Sequence, residues 1–397
     1  MRTTSQADDL DGGRDRFIDL LRVGALTTVV LLHWLSVMPS LRHGRFSDHN
    51  VVAVVPALWP LTWLGDVMAL FFFAGGYANW VSMQSAHDRG EPVRAYLKKR
   101  FRRLATPAIG FVGTWLAADL LMNVVGLTRW SPLRHVSLGN TTPFGPLWFL
   151  GVYLLIVALS PVTAAAHRRW GIAVPLAMAF GVLAADSVSF MLGTGTPMVA
   201  NLLLVWLIPH QLGYLYADGR LRRLRPAGCA GMAVTGLLAL VLLTSLPFYP
   251  RNLLGPHWKV LTTNAATLPL VAHGFCMVGV ALMCRRALLG LARRHRSVLS
   301  HANRWAMAVY LWHMTAYLMA IVALSSLGMT SAATAHSSAA WWLARPVVMA
   351  LSGALLVALL AVTATAGRFA ARACSVPLPL RDRRTGASGL AGRDLRH

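Results

Sequence analysis

The chain has 397 residues, 56% of them hydrophobic and only 13% charged, with a mean hydropathy of +0.54. This balance excludes an ordinary soluble domain. The net charge of +23 would suit a nucleic-acid binder, but the way it is distributed excludes that class, as the connections show.

Taken in chain order, apolar stretches of about 20 residues, enough to cross a bilayer, lie near 17–38, 58–83, 102–125, 145–166, 171–192, 199–217, 228–248, 263–284, 304–327 and 341–366. The expected fold is an all-α integral membrane protein, with about ten transmembrane helices in one bundle. A polar tail, 1–16, precedes the helical domain, 17–366, and a basic tail, 367–397, follows it. The first tail carries Asp8, Asp9, Asp11 and Asp15, and no small-x-small site follows the first apolar run, so a cleaved signal peptide is not expected. Cys229, Cys276, Cys284 and Cys374 are scattered without CxxC spacing, and neither a disulfide framework nor a metal site is expected.

The connections alternate in charge. Arg94, Lys98, Lys99, Arg100, Arg102 and Arg103 crowd the second, and Arg168 and Arg169 follow in the fourth. Arg220, Arg222, Arg223 and Arg225 fill the sixth, and Arg285, Arg286, Arg293, Arg294 and Arg296 the eighth. The intervening connections hold few: Arg42 and Arg45, Arg129 and Arg134, Arg251 and Lys259. Such alternation marks the cytoplasmic side of a membrane protein and puts both termini there, with an even number of crossings. The basic residues are almost all arginine, with only Lys98, Lys99 and Lys259, which points to a prokaryotic inner (cytoplasmic) membrane.

Within the first stretch, FIDLLRVGALTTVVLLHWLSVM, stand Asp19, Arg22 and His33. Arg22 and His33 are eleven positions apart, close to three helical turns, so they share one face at about 16 Å separation. Ionisable groups inside a membrane helix line a pocket or pathway rather than face lipid. Asp19, three residues before Arg22, is spaced for a local ion pair. Taken alone, Arg22 also fits a snorkelling anchor and His33 an outer-interface residue. The other intramembrane polar groups are few: Asp66, Asp119, Asp186, His210, His273 and His313. Asp66 is the candidate partner for His33 or for a ligand hydroxyl, and no role is assigned to His210.

The pattern D-x-x-R-x10-H in a first membrane helix resembles the membrane-bound acyltransferase-3 family, and further elements follow it in order. They are Phe71 to Tyr77, similar to a family stretch ending in Ser-Gly-Phe; the R-x-x-R run from Arg100 to Arg103; Gly145-Pro146-Leu147-Trp148-Phe149-Leu150; and Tyr310-Leu311-Trp312-His313. Ala74-Gly75-Gly76-Tyr77 and Met314-Thr315-Ala316 depart from the family's usual residues. The resemblance covers nearly the whole chain and implies an acyl-CoA-dependent integral-membrane O-acyltransferase of residues 17–366. Acyl-CoA, with acetyl-CoA expected, would be the co-substrate. The acceptor would be a hydroxyl of a glycan, lipid-linked sugar or natural product, with no permanently bound cofactor.

An imidazole with an ordinary pKa near 6.5 suits removal of a hydroxyl proton at neutral pH. His33 is therefore the candidate general base or acyl carrier, the two being equally compatible with the sequence. Arg22 would bind or orient the donor, since a planar guanidinium matches phosphate, and Asp19 would hold Arg22. Arg100 and Arg103 are candidate donor contacts beside plain cytoplasmic charge. Gly75 and Gly76 would admit the donor or let helices pack. Trp148 would stack on a sugar or sit at the interface, and Tyr310 and His313 are pocket candidates. The alternative function is a secondary transporter of an anionic or acyl-bearing molecule, with Arg22 and His33 binding it and relaying protons.

Overall fold

The computed structural model describes residues 10–11, 14–42, 45–126, 143–253, 266–329 and 338–374. The basic tail beyond 374 and most of the N-terminal tail lie outside these. Two short strands, β1 (Leu10–Asp11) and β2 (Arg14–Asp15), lead into α1 (Arg16–Ser36). The Asp15 side chain starts that helix by accepting from the Phe17 and Ile18 amides at 3.0 and 3.4 Å, satisfying two of the four backbone donors a helix start leaves open.

The connection after α1, which the sequence offered only as an outer loop, folds into an antiparallel hairpin of β3 (Val37–Arg42) and β4 (Arg45–Asn50). It continues into α2 (Val51–Val54), a single 3-10 turn and α3 (Trp59–Gly65). Then come α4 (Met68–Asp88), α5 (Val93–Val124), α6 (Leu147–Trp170), α7 (Ala173–Leu192), α8 (Asn201–Ala217) and α9 (Pro226–Ser245). The last four are α10 (Leu268–Met283), α11 (Arg285–Arg294), α12 (Arg296–Ser326) and α13 (Ala339–Cys374). Gly171 at φ 54° and Gly193 at φ 64° end α6 and α7 in backbone conformations that side chains resist.

Each of the ten apolar stretches holds a helix among the described residues, but they are not equal. Among the described residues eight helical stretches are long and apolar enough to cross a membrane, and α10 with α11 makes a ninth if that pair, bent by 65°, is one span. The stretch at 199–217 became α8, only 17 residues long and almost wholly buried. Its length falls short of about 20 residues because neighbouring helices, not lipid, surround it. Helix α13 runs on to Cys374, past the end expected at 366.

Helices α1 and α12 lie side by side and run parallel. His33 meets His313 and the Val37 carbonyl meets Tyr317, so successive contacts advance together along both chains. Helices α4 and α8 cross through two glycines. A Cβ on Gly76 would collide with the His210 carbonyl, and one on Gly213 with the Phe73 carbonyl. Small residues allow this close backbone approach. Among the described residues the apolar core forms two large clusters, one around Phe72, Phe149, Ile156, Trp206 and Tyr317, the other around Phe17, Phe73, Leu215, Tyr216 and Val278, and a small third of Met38, Val51, Val52 and Trp341.

Polar ties close the two ends. At the end carrying the basic connections, buried Asp15 accepts from Tyr216 at 3.0 Å and pairs with Arg222 at 3.4 Å, while Arg285 donates to the same Tyr216 hydroxyl at 3.0 Å. Nearby, His167 at the end of α6 meets Asp218 at 3.0 Å. At the other end, buried Asp186 accepts from Asn201 at 2.7 Å, Tyr249 at 2.9 Å and the Leu268 amide at 2.9 Å.

Candidate active site

Helix α1 is unbroken from Arg16 to Ser36, so Arg22 and His33 keep one face, and both are half-buried. Among the described residues Arg22 makes no hydrogen bond or ion pair. The ion pair with Asp19 that the spacing suggested is therefore not formed. Asp19 does have a partner, but it is not Arg22.

His33 points at the neighbouring helix. Its Nδ1 lies 3.1 Å from Nε2 of His313, with the rings 5.1 Å apart. His313 is fully buried, and its Nδ1 lies 2.7 Å from the Tyr310 carbonyl. Trp34, next to His33, donates its indole N–H to the His313 carbonyl at 3.0 Å. Tyr310, one turn back on α12, donates its hydroxyl to the Pro146 carbonyl at the start of α6. The sequence thus placed His33, Tyr310 and His313 separately, and the fold brings them together.

One turn outward lies a second tie. The Tyr317 hydroxyl donates to the Val37 carbonyl at 2.5 Å and receives Arg345 at 3.1 Å. Arg345 is buried, and its guanidinium stacks 4.1 Å from the Trp341 ring. Sequence reasoning passed over this arginine, although it interrupts an apolar run as Arg22 does, and that interruption was the signal.

Asp66 does not meet His33 in this structure. It accepts from the Met68 amide at the start of α4 at 3.1 Å, and its titratable neighbour is His273. His273 itself is 2.6 Å from the Trp63 carbonyl. Gly75 and Gly76, considered as donor contacts, are occupied by packing: a Cβ on Gly75 would approach Tyr153 to 2.9 Å, and Gly76 forms the helix crossing already described.

Of the two arginines of the R-x-x-R run, Arg103 is exposed on the outside of α5, whereas Arg100 turns inward. Arg100 donates to the side-chain oxygen of Asn79, and the Asn79 amide nitrogen lies 3.0 Å from Nε2 of His210. Both Asn79 and His210 are fully buried. Because Asn79 uses its oxygen for Arg100, its nitrogen donates and His210 Nε2 accepts. Arg100 Nε and His210 Nδ1 are then buried donors without a partner among the described residues. Trp148 is 40% exposed and flanked by Phe149 and Trp206, with ring centroids 6.3 and 6.2 Å away.

The fold and site define a membrane-embedded helical protein with ionisable side chains gathered between its helices. A family described as an acyltransferase domain matches residues 15–365. The chain therefore belongs to the acyltransferase-3 family of membrane acyltransferases. Comparison with curated proteins and with solved structures found no match.

Proposed function

We propose that the protein transfers an acyl group, acetyl in the simplest case, from acyl-CoA to a hydroxyl of a glycan, lipid-linked sugar or natural product. His33 acts as general base. Its Nε2 takes the hydroxyl proton, the oxygen attacks the thioester carbonyl, the carbon–sulfur bond breaks, and the departing thiolate recovers the proton. The observation that carries the reading is the pairing, on one helix face, of a half-buried imidazole with an arginine that has no protein partner among the described residues. A free guanidinium about 16 Å from the base is placed to hold a phosphate or diphosphate while the acyl end lies near His33. Arg100, held inward by Asn79, supports a donor entering from the same end.

We also infer a cytoplasmic-membrane protein with ten crossings and both termini inside. Parallel α1 and α12 require an odd number of crossings between them. Helices α4, α5, α6, α7 and α9 supply five, so α8 and the α10–α11 pair count together or not at all. The ties of Asp15 to Tyr216 and Arg222, of Arg285 to Tyr216, and of His167 to Asp218 gather basic connections at one end, which supports counting both.

The test is acetyl-CoA binding to the purified protein in nanodiscs beside Arg22→Lys. The guanidinium contact predicts roughly tenfold weaker binding for the variant, the loss of one charge-assisted hydrogen bond. Equal affinity would remove Arg22 from the donor site.

A further inference from the structure

We infer that His313 is a positioning residue that fixes which nitrogen of His33 carries the proton, leaving Nε2 of His33 as the basic atom. The inference follows from four atoms. The Tyr310 carbonyl can only accept, so the His313 Nδ1 that faces it at 2.7 Å is an N–H. A neutral imidazole has one N–H, so Nε2 of His313 carries a lone pair and accepts. The atom opposite, Nδ1 of His33 at 3.1 Å, must then be the donor. With its one proton on Nδ1, His33 presents a lone pair at Nε2, which has no partner among the described residues.

A charged His313 would reverse the bond, but the ring is fully buried, and its two nitrogens are already satisfied as neutral donor and acceptor. Trp34 keeps the register by donating to the His313 carbonyl, so the two rings cannot slide past one another without breaking that bond too. His313 has no nitrogen left for substrate. It acts through His33 only, in the way a backbone-anchored partner selects a tautomer at other histidine sites. When His33 takes the acceptor's proton at Nε2, the resulting imidazolium still donates through Nδ1 to the same lone pair, so no ring has to turn during the reaction.

This rests on His33 being the base, but the first test does not. Nitrogen-15 spectra of histidine-labelled protein in bilayers, with the His33 signal assigned by its absence from His33→Gln, report the tautomer directly. Wild type is expected to carry the His33 proton on Nδ1, and His313→Leu to release it to a mixture richer in the Nε2–H form. A wild-type proton on Nε2, or an unchanged tautomer in His313→Leu, would overturn the inference whether or not an acyl donor has been found.

The second test is kinetic, with acetyl-CoA and a panel of sugar and alcohol acceptors. His313→Leu should lower kcat by roughly tenfold, less than loss of the base itself because part of the population keeps the productive tautomer, with the donor KM unchanged. His313→Gln places an accepting oxygen near the old Nε2 and should keep most of kcat. Equal losses in the two variants, both folded, would contradict the assignment. A wild type that binds acetyl-CoA yet shows the expected tautomer and no turnover would count against the acyl-transfer reading and not against the tautomer.

Discussion

A single imidazole is two reagents, depending on which nitrogen holds its proton, and this chain selects between them with a backbone carbonyl 2.7 Å from a second histidine. The first helix was readable because spacing within one helix is fixed by its pitch: Arg22 and His33 had to share a face. The partner of His33 was not readable. His313 is 280 positions away, and nothing within either helix reports the other's register. Asn79 is missed for a related reason, since its task becomes visible only between Arg100 and His210. The same logic makes Asn79→Leu informative. It would leave Arg100 without its acceptor and His210 without its donor, so donor affinity should fall by about tenfold in a titration with acetyl-CoA, and unchanged affinity would detach Arg100 from the donor.

At the scale of elements, helix existence was legible from hydropathy, and helix role was not. The α8 stretch read as one more span, but its 17 residues are enclosed, and the glycine crossing with α4 explains why. Gly76→Ala pushes a methyl into the His210 backbone carbonyl, which cannot move aside as a side chain would. It should cost about 1–3 kcal/mol, read as a lowered Tm. Gly24→Ala on α1 meets nothing within 4 Å and should be neutral or stabilising by up to about 1 kcal/mol. If both substitutions behave alike, the crossing is not the constraint described. Asp186 is a comparable element-level tie: three donors from three separate segments converge on it. Asp186→Ala should cost about 3 kcal/mol or more, and a variant with unchanged Tm would show that those contacts are dispensable.

At the basic end of the molecule the buried carboxylate of Asp15 ties the start of α1 to Tyr216 and Arg222. Burial raises the Asp15 pKa above its ordinary value, outweighing the lowering by Arg222, Tyr216, Arg285 and the Ile18 amide. The folded state therefore binds this proton more tightly than the unfolded chain. Stability from this group is fullest below the ordinary carboxylate pKa of about 3.9, declines as pH rises through the folded value, and is flat above it. Asp15→Asn keeps a side-chain cap for α1 and should flatten that part of a Tm-against-pH profile. A slope unchanged in the variant would place the titration elsewhere. The charge alternation that put the basic connections on one side was legible in the sequence, and the buried cluster joining two of them to the start of α1 was not, because it depends on Tyr216 arriving from α8.

Transfer itself shows whether His33 removes the acceptor proton in an acyl-CoA-dependent reaction. Purified protein in nanodiscs receives acetyl-CoA and the acceptor panel, and free coenzyme A thiol is followed over time for wild type and His33→Ala, with Tm and elution volume matched. If His33 is the base, wild type releases thiol and the variant loses about a hundredfold or more of that rate. Release that continues at the wild-type rate in a folded His33→Ala protein would contradict it.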